Sequence, residues 1–176
     1  MTQRNADRVP AHLAASPHEL TVTDFEQSLI CAAEAFYRCI GLLLGPAARE
    51  HRLSGQDNVI LQQLMASPHP RNLTELARFA NRDDTPNIQY SLRKLIAAHL
   101  VEKAPGSTNR DSRYQVTARG RALTDEFLAR RRALVMSPSS QMREADEHMK
   151  AAIRALNMMA GIYDQGTRSI TARDDR

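Results

Sequence analysis

No apolar run in the chain approaches the roughly 18 residues that would mark a membrane span. The stretch Ile40 to Leu44 is short and interrupted by a glycine. Met1 to Ser16 carries two arginines but no apolar segment, so a secretory signal is not expected and the chain reads as cytoplasmic. Cysteine is scarce: Cys31 and Cys39 are the only two. They fall on one expected helix, about 12 Å apart along its axis, too far for an intrachain disulfide. Both are expected to be buried thiols, with a redox switch as the alternative. The six histidines are scattered without ligand spacing, and neither a glycine-rich phosphate loop nor a nucleophile motif is present. These absences argue against an enzyme and leave no expected metal or cofactor.

What is present is a concentrated positive charge. Residues 71 to 132 hold thirteen Lys and Arg against seven Asp and Glu, a net +6 within a chain whose total is +4. A local excess of this kind draws a domain toward polyanions and supplies phosphate affinity independent of sequence. A solvated charged face is the bland alternative. With 176 residues, 42% of them hydrophobic, the chain suits one domain with an appended assembly module.

Residues 1–21 are polar and without a clear period, so a flexible arm is expected. From a cap at Thr23 or Asp24, Phe25, Leu29, Ala32, Ala33, Phe36, Ile40, Leu43 and Leu44 recur at helical spacing and stop near Gly45-Pro46. This stripe, within residues 22–50, is longer than one small domain needs. Ser54 with Asp57 forms a capping box ahead of Val59, Ile60, Leu61, Leu64 and Met65, and Ser67-Pro68-His69-Pro70 ends that helix. Asn72 with Glu75 caps the helix from Leu73 to Ala80, and Asn81 to Asp84 form a turn.

The next helix runs from Thr85 to Ile96, with Thr85 as cap and Pro86 at the first helical position, where a missing N–H costs nothing. Helical periodicity puts Ile88, Leu92, Leu95 and Ile96 on one face. Opposite or flanking lie Pro86, Asn87, Gln89, Tyr90, Arg93, Lys94 and Ala97. Asn and Gln pair bidentately with adenine and Arg with guanine, each worth about 1–3 kcal/mol of discrimination. Val101 to Ala104 and Arg113 to Val116 then read as two strands around Pro105-Gly106-Ser107-Thr108-Asn109-Arg110, a turn-rich hairpin. An arginine at such a tip suits a narrow minor groove.

Thr117 caps a further helix through Ala122, Leu123, Phe127, Leu128 and Leu134, carrying Arg130-Arg131-Arg132, and Ser137-Pro138-Ser139-Ser140 is expected to interrupt it. Met142, Met149, Leu156 and Tyr163 then recur every seventh residue, with Ala145, Ala152 and Met159 between them. That is a seam for another helix, packing either on the same chain or on a second subunit. Since the first helix also has an unmatched stripe, pairing across a dimer is favoured.

Leu73 to Ala80 leading into Ile88-Gln89-Tyr90-Ser91-Leu92-Arg93-Lys94-Leu95, then Leu100-Val101-Glu102-Lys103, Asp111-Ser112-Arg113 and Val116-Thr117-Ala118-Arg119-Gly120, resemble the MarR family of bacterial transcription regulators. The resemblance spans roughly Phe25 to Tyr163. It implies a mainly α fold with a small β wing: a winged helix-turn-helix domain over 51–120, dimerisation helices over 22–50 and 121–165, and a flexible tail over 166–176. It implies a homodimer on double-stranded DNA, with two reading helices in successive major grooves of a pseudo-palindrome. Read onto this chain, it places Thr85, Asn87, Gln89, Tyr90 and Lys94 at the major groove and backbone and Arg110 at the minor groove. Asp111 and Arg113 would hold the wing in shape, with Arg113 also near DNA beside Pro86 and Arg93. Many relatives are released by small aromatic or anionic effectors, for which Phe36, Ile40, Leu43, Leu61, Leu64 and Met65 would line a pocket, simple core packing being the alternative.

The chain departs from the family pattern at three places. His99 stands where a helix-ending glycine is common, a position that histidine tolerates better than most residues. Val116 replaces a usual Leu, and Pro86 in the first turn of the reading helix is less common. The leading expectation is therefore a repressor relieved by an effector. A thiol-based redox sensor and a protein-interaction module without sequence-specific DNA binding are the competing readings.

Overall fold

A computed structural model describes residues 14–80, 85–108 and 112–174. The chain divides into two units, residues 1–128 and 129–176, taken in turn below.

The first helix, α1 (Pro17–Leu43), begins earlier than its apolar stripe. Ser16 caps it: the Glu19 N–H donates to Ser16 Oγ at 3.2 Å, and the Ala15 N–H donates to the Glu19 carboxylate at 2.7 Å. Pro17 occupies the first turn, where it is tolerated. The expected start at Thr23 or Asp24 is thus corrected, and residues 17–21 are helix rather than arm. Ser-Pro-His-Glu is itself a capping signature, which the search for apolar periodicity passed over. Only the last turns of α1 bury side chains fully, at Ile40 and Leu43, whereas Ile30, Phe36 and Leu42 are exposed. Cys31 is exposed and Cys39 intermediate; the expectation of two buried thiols fails at Cys31, which lies on that uncovered part of the helix.

Gly45, at φ 81°, turns the chain into a short α2 (Pro46–Glu50). Helix α3 (Gly55–Met65) opens with the expected capping box: the Ser54 N–H donates to Asp57 Oδ2 at 2.7 Å, and the Asp57 N–H donates to Ser54 Oγ at 3.3 Å. Strand β1 (Arg71–Asn72) leads directly into α4 (Leu73–Ala80). Asn72 and Glu75 exchange reciprocal bonds, Glu75 N–H to Asn72 Oδ1 at 2.9 Å and Asn72 N–H to Glu75 Oε2 at 3.0 Å.

Helix α5 (Thr85–Ala97) ends in a left-handed residue, His99, at φ 58°. The Leu100 N–H donates to the Leu95 carbonyl and the His99 N–H to the Ile96 carbonyl, both at 2.9 Å. That pair of bonds is a Schellman cap, here built on histidine instead of glycine. Strands β2 (Val101–Lys103) and β3 (Arg113–Val116) pair antiparallel with Lys103 opposite Tyr114. The wing has a third strand: β1 pairs with β3, Asn72 opposite Arg113, giving the order β1-β3-β2. A two-residue strand has no periodicity to announce it, so the sequence showed only two.

Thr117 ties the sheet to α6 (Ala118–Arg131): its hydroxyl donates to the His99 carbonyl at 2.7 Å and accepts from the Gly120 N–H at 3.0 Å. Ile60, Leu61, Leu76, Ile88, Leu92, Leu95, Leu100, Val101, Val116, Leu123 and Phe127 form the core between α3, α4, α5, the sheet and α6. Each such side chain contributes about 1.5–3 kcal/mol by leaving water.

In the second unit the helical path does not break at Ser137-Pro138. Arg132–Met136 is a π-helical segment in which the Ser137 N–H donates to the Arg132 carbonyl, and α7 (Ser137–Ser140) continues with Pro138 in its first turn. The widened turn gives a residue without an N–H a place within the helical run. The break comes instead at residues 141–144, where Glu144 takes φ 54°. Helix α8 (Ala145–Asp174) then runs for 30 residues, so residues 166–174, expected as a loose tail, are helical. Its seventh-residue series is exposed: Met149 at 47%, Leu156 at 41% and Tyr163 at 38%.

Candidate nucleic-acid interface

Helix α5 is held from beneath and open above. Ile88, Leu92 and Leu95 are 0–2% exposed, Ser91 is buried beside them, and Ile96 is intermediate. This anchoring fixes the rotation of the helix and leaves Pro86, Asn87, Gln89, Tyr90, Arg93 and Ala97 facing solvent, with Thr85 intermediate. The Tyr90 ring is 56% exposed. The guanidinium of Arg93 lies 5.9 Å and the ammonium of Lys94 5.6 Å from its centroid, so the ring sits between two cations that its π-face attracts. The structure therefore gathers five expected residues, Pro86, Asn87, Gln89, Tyr90 and Arg93, on one exposed helical face.

Two expected residues are placed elsewhere. The Lys94 ammonium is bonded to Asp57 on α3, and the two side chains are 18% and 3% exposed. Asp57 Oδ2 also accepts from the Ser54 hydroxyl at 2.9 Å, so Lys94 completes a capping box on a neighbouring helix instead of pointing away with Arg93. Arg113 belongs to the base of the wing: its guanidinium donates to the Pro70 carbonyl at 3.3 Å and lies 3.6 Å from Glu75. Its backbone N–H takes a bond to Ser107 Oγ at 3.2 Å, closing the hairpin from inside. Arg110 and Asp111, expected at the wing tip, lie outside the described residues, as does the turn expected at 81–84.

The six residues expected to line an effector pocket do not act as one set. Ile40, Leu43, Leu61 and Leu64 are core side chains, while Phe36 is exposed and meets Tyr37 edge-on at 5.6 Å. Leu64 and half-buried Met65 do border a cleft of about 280 Å³, completed by the loop from Ser67 to Pro70 and by Gln115, Val116 and Arg121. The Arg121 guanidinium donates to the Val116 carbonyl at 2.8 Å. Packing of α1 on α3 fills the space that the sequence left for a ligand.

Sequence reasoning missed Arg71, whose guanidinium stacks 3.7 Å above the exposed Phe79 ring at the end of α4. Only the β1 turn brings those two together, and nothing local in the sequence signals it. Among the described residues no group of His, Cys, Asp and Glu could hold a metal ion, and no helix is long and apolar enough to cross a membrane.

Residues 53–120, from the end of α2 to the first turn of α6, match the family of winged helix DNA-binding domains. Over most of its length the chain is similar to solved MarR regulators. One is a MarR family transcriptional regulator from Streptomyces coelicolor, with TM-score 0.63 and 15% identity over 80% of this chain and 96% of that one. Another is Staphylococcus aureus MarR in complex with salicylate and kanamycin, with TM-score 0.62 and 18% identity over 83% and 94%. A third is the M. tuberculosis transcriptional regulator MOSR in complex with DNA, with TM-score 0.58 and 18% identity over 77% and 95%. The chain has the MarR fold. No curated protein sequence matched it. In the MarR fold, α3, α4 and α5 with the β1-β3-β2 sheet make the winged helix, and α5 with its exposed polar face is the reading helix.

Proposed function

We propose that this chain is a sequence-specific DNA-binding transcription regulator, a homodimer that represses from a pseudo-palindromic operator and is released by a small molecule. The observation that carries this reading is the α5 surface: Asn87, Gln89 and Arg93, hydrogen-bonding groups suited to base edges, stand exposed on a helix whose opposite side is locked in the core. Thr85, Pro86 and Tyr90 complete the face, and Arg110 extends it toward the minor groove, with Asp111 and Arg113 shaping the wing. The similarity to a regulator whose structure contains DNA supports the same reading. The exposed apolar residues of α8 and of α1 supply faces that a second copy would cover.

An effector of aromatic or anionic character fits the cleft beside Met65 better than the packed core. Apolar walls from Leu64, Met65, Pro68 and Pro70 face Arg121 and His69 there, a combination that holds a planar ring and a carboxylate. A similar structure contains salicylate.

The test uses a duplex recovered by the native protein from a random-sequence pool. In a fluorescence anisotropy titration, Gln89→Ala and Arg110→Ala should each weaken binding while the mass of the dimer stays unchanged. Unchanged affinity in both variants overturns the assignment of the reading surface.

A further inference from the structure

The first turn of α3 is in close contact with two other helices at once. Toward α1 the approach is backbone to backbone: a Cβ on Gly55 would lie 2.0 Å from the Tyr37 carbonyl oxygen, and one on Gly41 would lie 2.9 Å from the Gly55 nitrogen. Asn58, 1% exposed, donates from its side-chain amide to the Ile40 carbonyl at 3.1 Å and accepts from Gln62 at 3.1 Å. The Ile40 carbonyl lies in the last turn of α1, where helices run out of internal donors. Toward α5, the adjacent Asp57 holds the Lys94 ammonium. One turn thus has a side chain bonded to each neighbour, with Asn58 gripping α1 and Asp57 gripping α5.

We propose that Asp57 and Lys94 are a positioning pair: they fix α5 on the first turn of α3, and so on α1, and Lys94 does not contact DNA. The inference rests on the DNA-reading function proposed above. In a dimer joined through its terminal helices, the spacing of the two reading helices depends on how rigidly each is tied back to α1. Rotating or sliding α5 misaligns Asn87, Gln89 and Arg93 against base edges while leaving phosphate attraction intact. Loosening the pair should therefore cost sequence preference and spare non-specific affinity. A lysine that contacted phosphate would behave in the opposite way.

Two substitutions separate these roles. Asp57→Asn keeps an acceptor for the Ser54 cap but removes the charge that holds Lys94, freeing the ammonium for any nearby phosphate. Lys94→Arg keeps the positive charge but offers a longer, planar head to a site fitted to an ammonium. Affinity is measured for the full-length variants against the duplex selected by the native protein and against a scrambled duplex of equal length, across a salt series. Both variants are expected to lose about tenfold or more of the preference for the selected duplex. Affinity for the scrambled duplex should not fall, and the salt dependence should be no shallower than that of the native chain. Lys94→Met should also keep the native salt slope.

Full preference retained by Asp57→Asn and Lys94→Arg overturns the proposal, as does a Lys94→Met slope shallower by about 0.9, the signature of one lost phosphate contact. If the native chain selects no duplex, the DNA reading itself falls and the positioning role falls with it. Selection by the native chain with unaltered variants removes the positioning role alone.

Discussion

Gly55 and Tyr37 meet main chain to main chain: a Cβ on Gly55 would stand 2.0 Å from the Tyr37 carbonyl oxygen and 2.7 Å from its carbon. Only glycine lets α3 approach α1 this closely, and neither backbone can yield without moving its helix. Gly55→Ala is expected to destabilise the protein by on the order of 3 kcal/mol or more, beyond an ordinary overpacked core site. Urea denaturation followed by circular dichroism would show it as a lowered midpoint. A midpoint within error of the native one contradicts the close approach.

His99 carries the left-handed cap of α5 with an exposed side chain. A non-glycine residue in this region is strained by about 1 kcal/mol, and glycine removes the strain while keeping both cap bonds. His99→Gly is therefore expected to raise stability by up to about 1 kcal/mol, less the greater freedom of glycine in the unfolded chain. Thermal unfolding checks the sign, and a clear loss of stability would mean that the imidazole has a role that the cap geometry does not show.

The parts of the fold legible in the sequence were those written in local patterns. The Ser54-Asp57 box, the Asn72-Glu75 box, the inward set Ile88, Leu92 and Leu95, and the strand from Arg113 to Val116 each depend on residues a few positions apart. The structure found them where the spacing put them. What escaped depends on partners distant in the chain. Lys94 looked like one more cation on a polar face because its partner, Asp57, lies 37 positions away and had already been given a complete local role as a cap. Strand β1 is too short to have a period, and its pairing with β3 is a tertiary event. Pro138 reads as a helix breaker in any local scheme; a π-helical turn just ahead of it accommodates it. Phe36 and Ile40 shared a stripe in the sequence, yet the first is exposed and the second buried, because helix periodicity says which residues align but not where along the axis the neighbour ends.

Helix α8 displays Met149, Ile153, Leu156, Ile162 and Tyr163 to solvent in the single chain. An apolar row of this length on a soluble regulator is expected to be covered by a second subunit. The double substitution Met149→Glu with Leu156→Glu should convert a dimer into a monomer in light scattering coupled to size exclusion. It should also reduce DNA binding to the weak level of a single reading helix. A native chain that runs as a monomer at micromolar concentration would remove the dimer from the account.

Arg93 and Gln89 should fail differently. Loss of a phosphate contact at Arg93 weakens binding to all duplexes alike and lowers the slope of log affinity against log salt by about 0.9. Loss of a base contact at Gln89 relaxes discrimination at one position by about 1–3 kcal/mol and leaves the slope alone. If Arg93→Ala instead relaxes preference at a single base pair, its guanidinium reads guanine, and the two residues belong to the same readout.

The central claim, that two copies of α5 read DNA together, is tested most directly by sequencing the duplexes that the native protein recovers from a random pool. The account predicts inverted half-sites whose centres lie about one helical turn, 10–10.5 base pairs, apart. Recovery of no enriched sequence, or of a single unsymmetrical site, would contradict it.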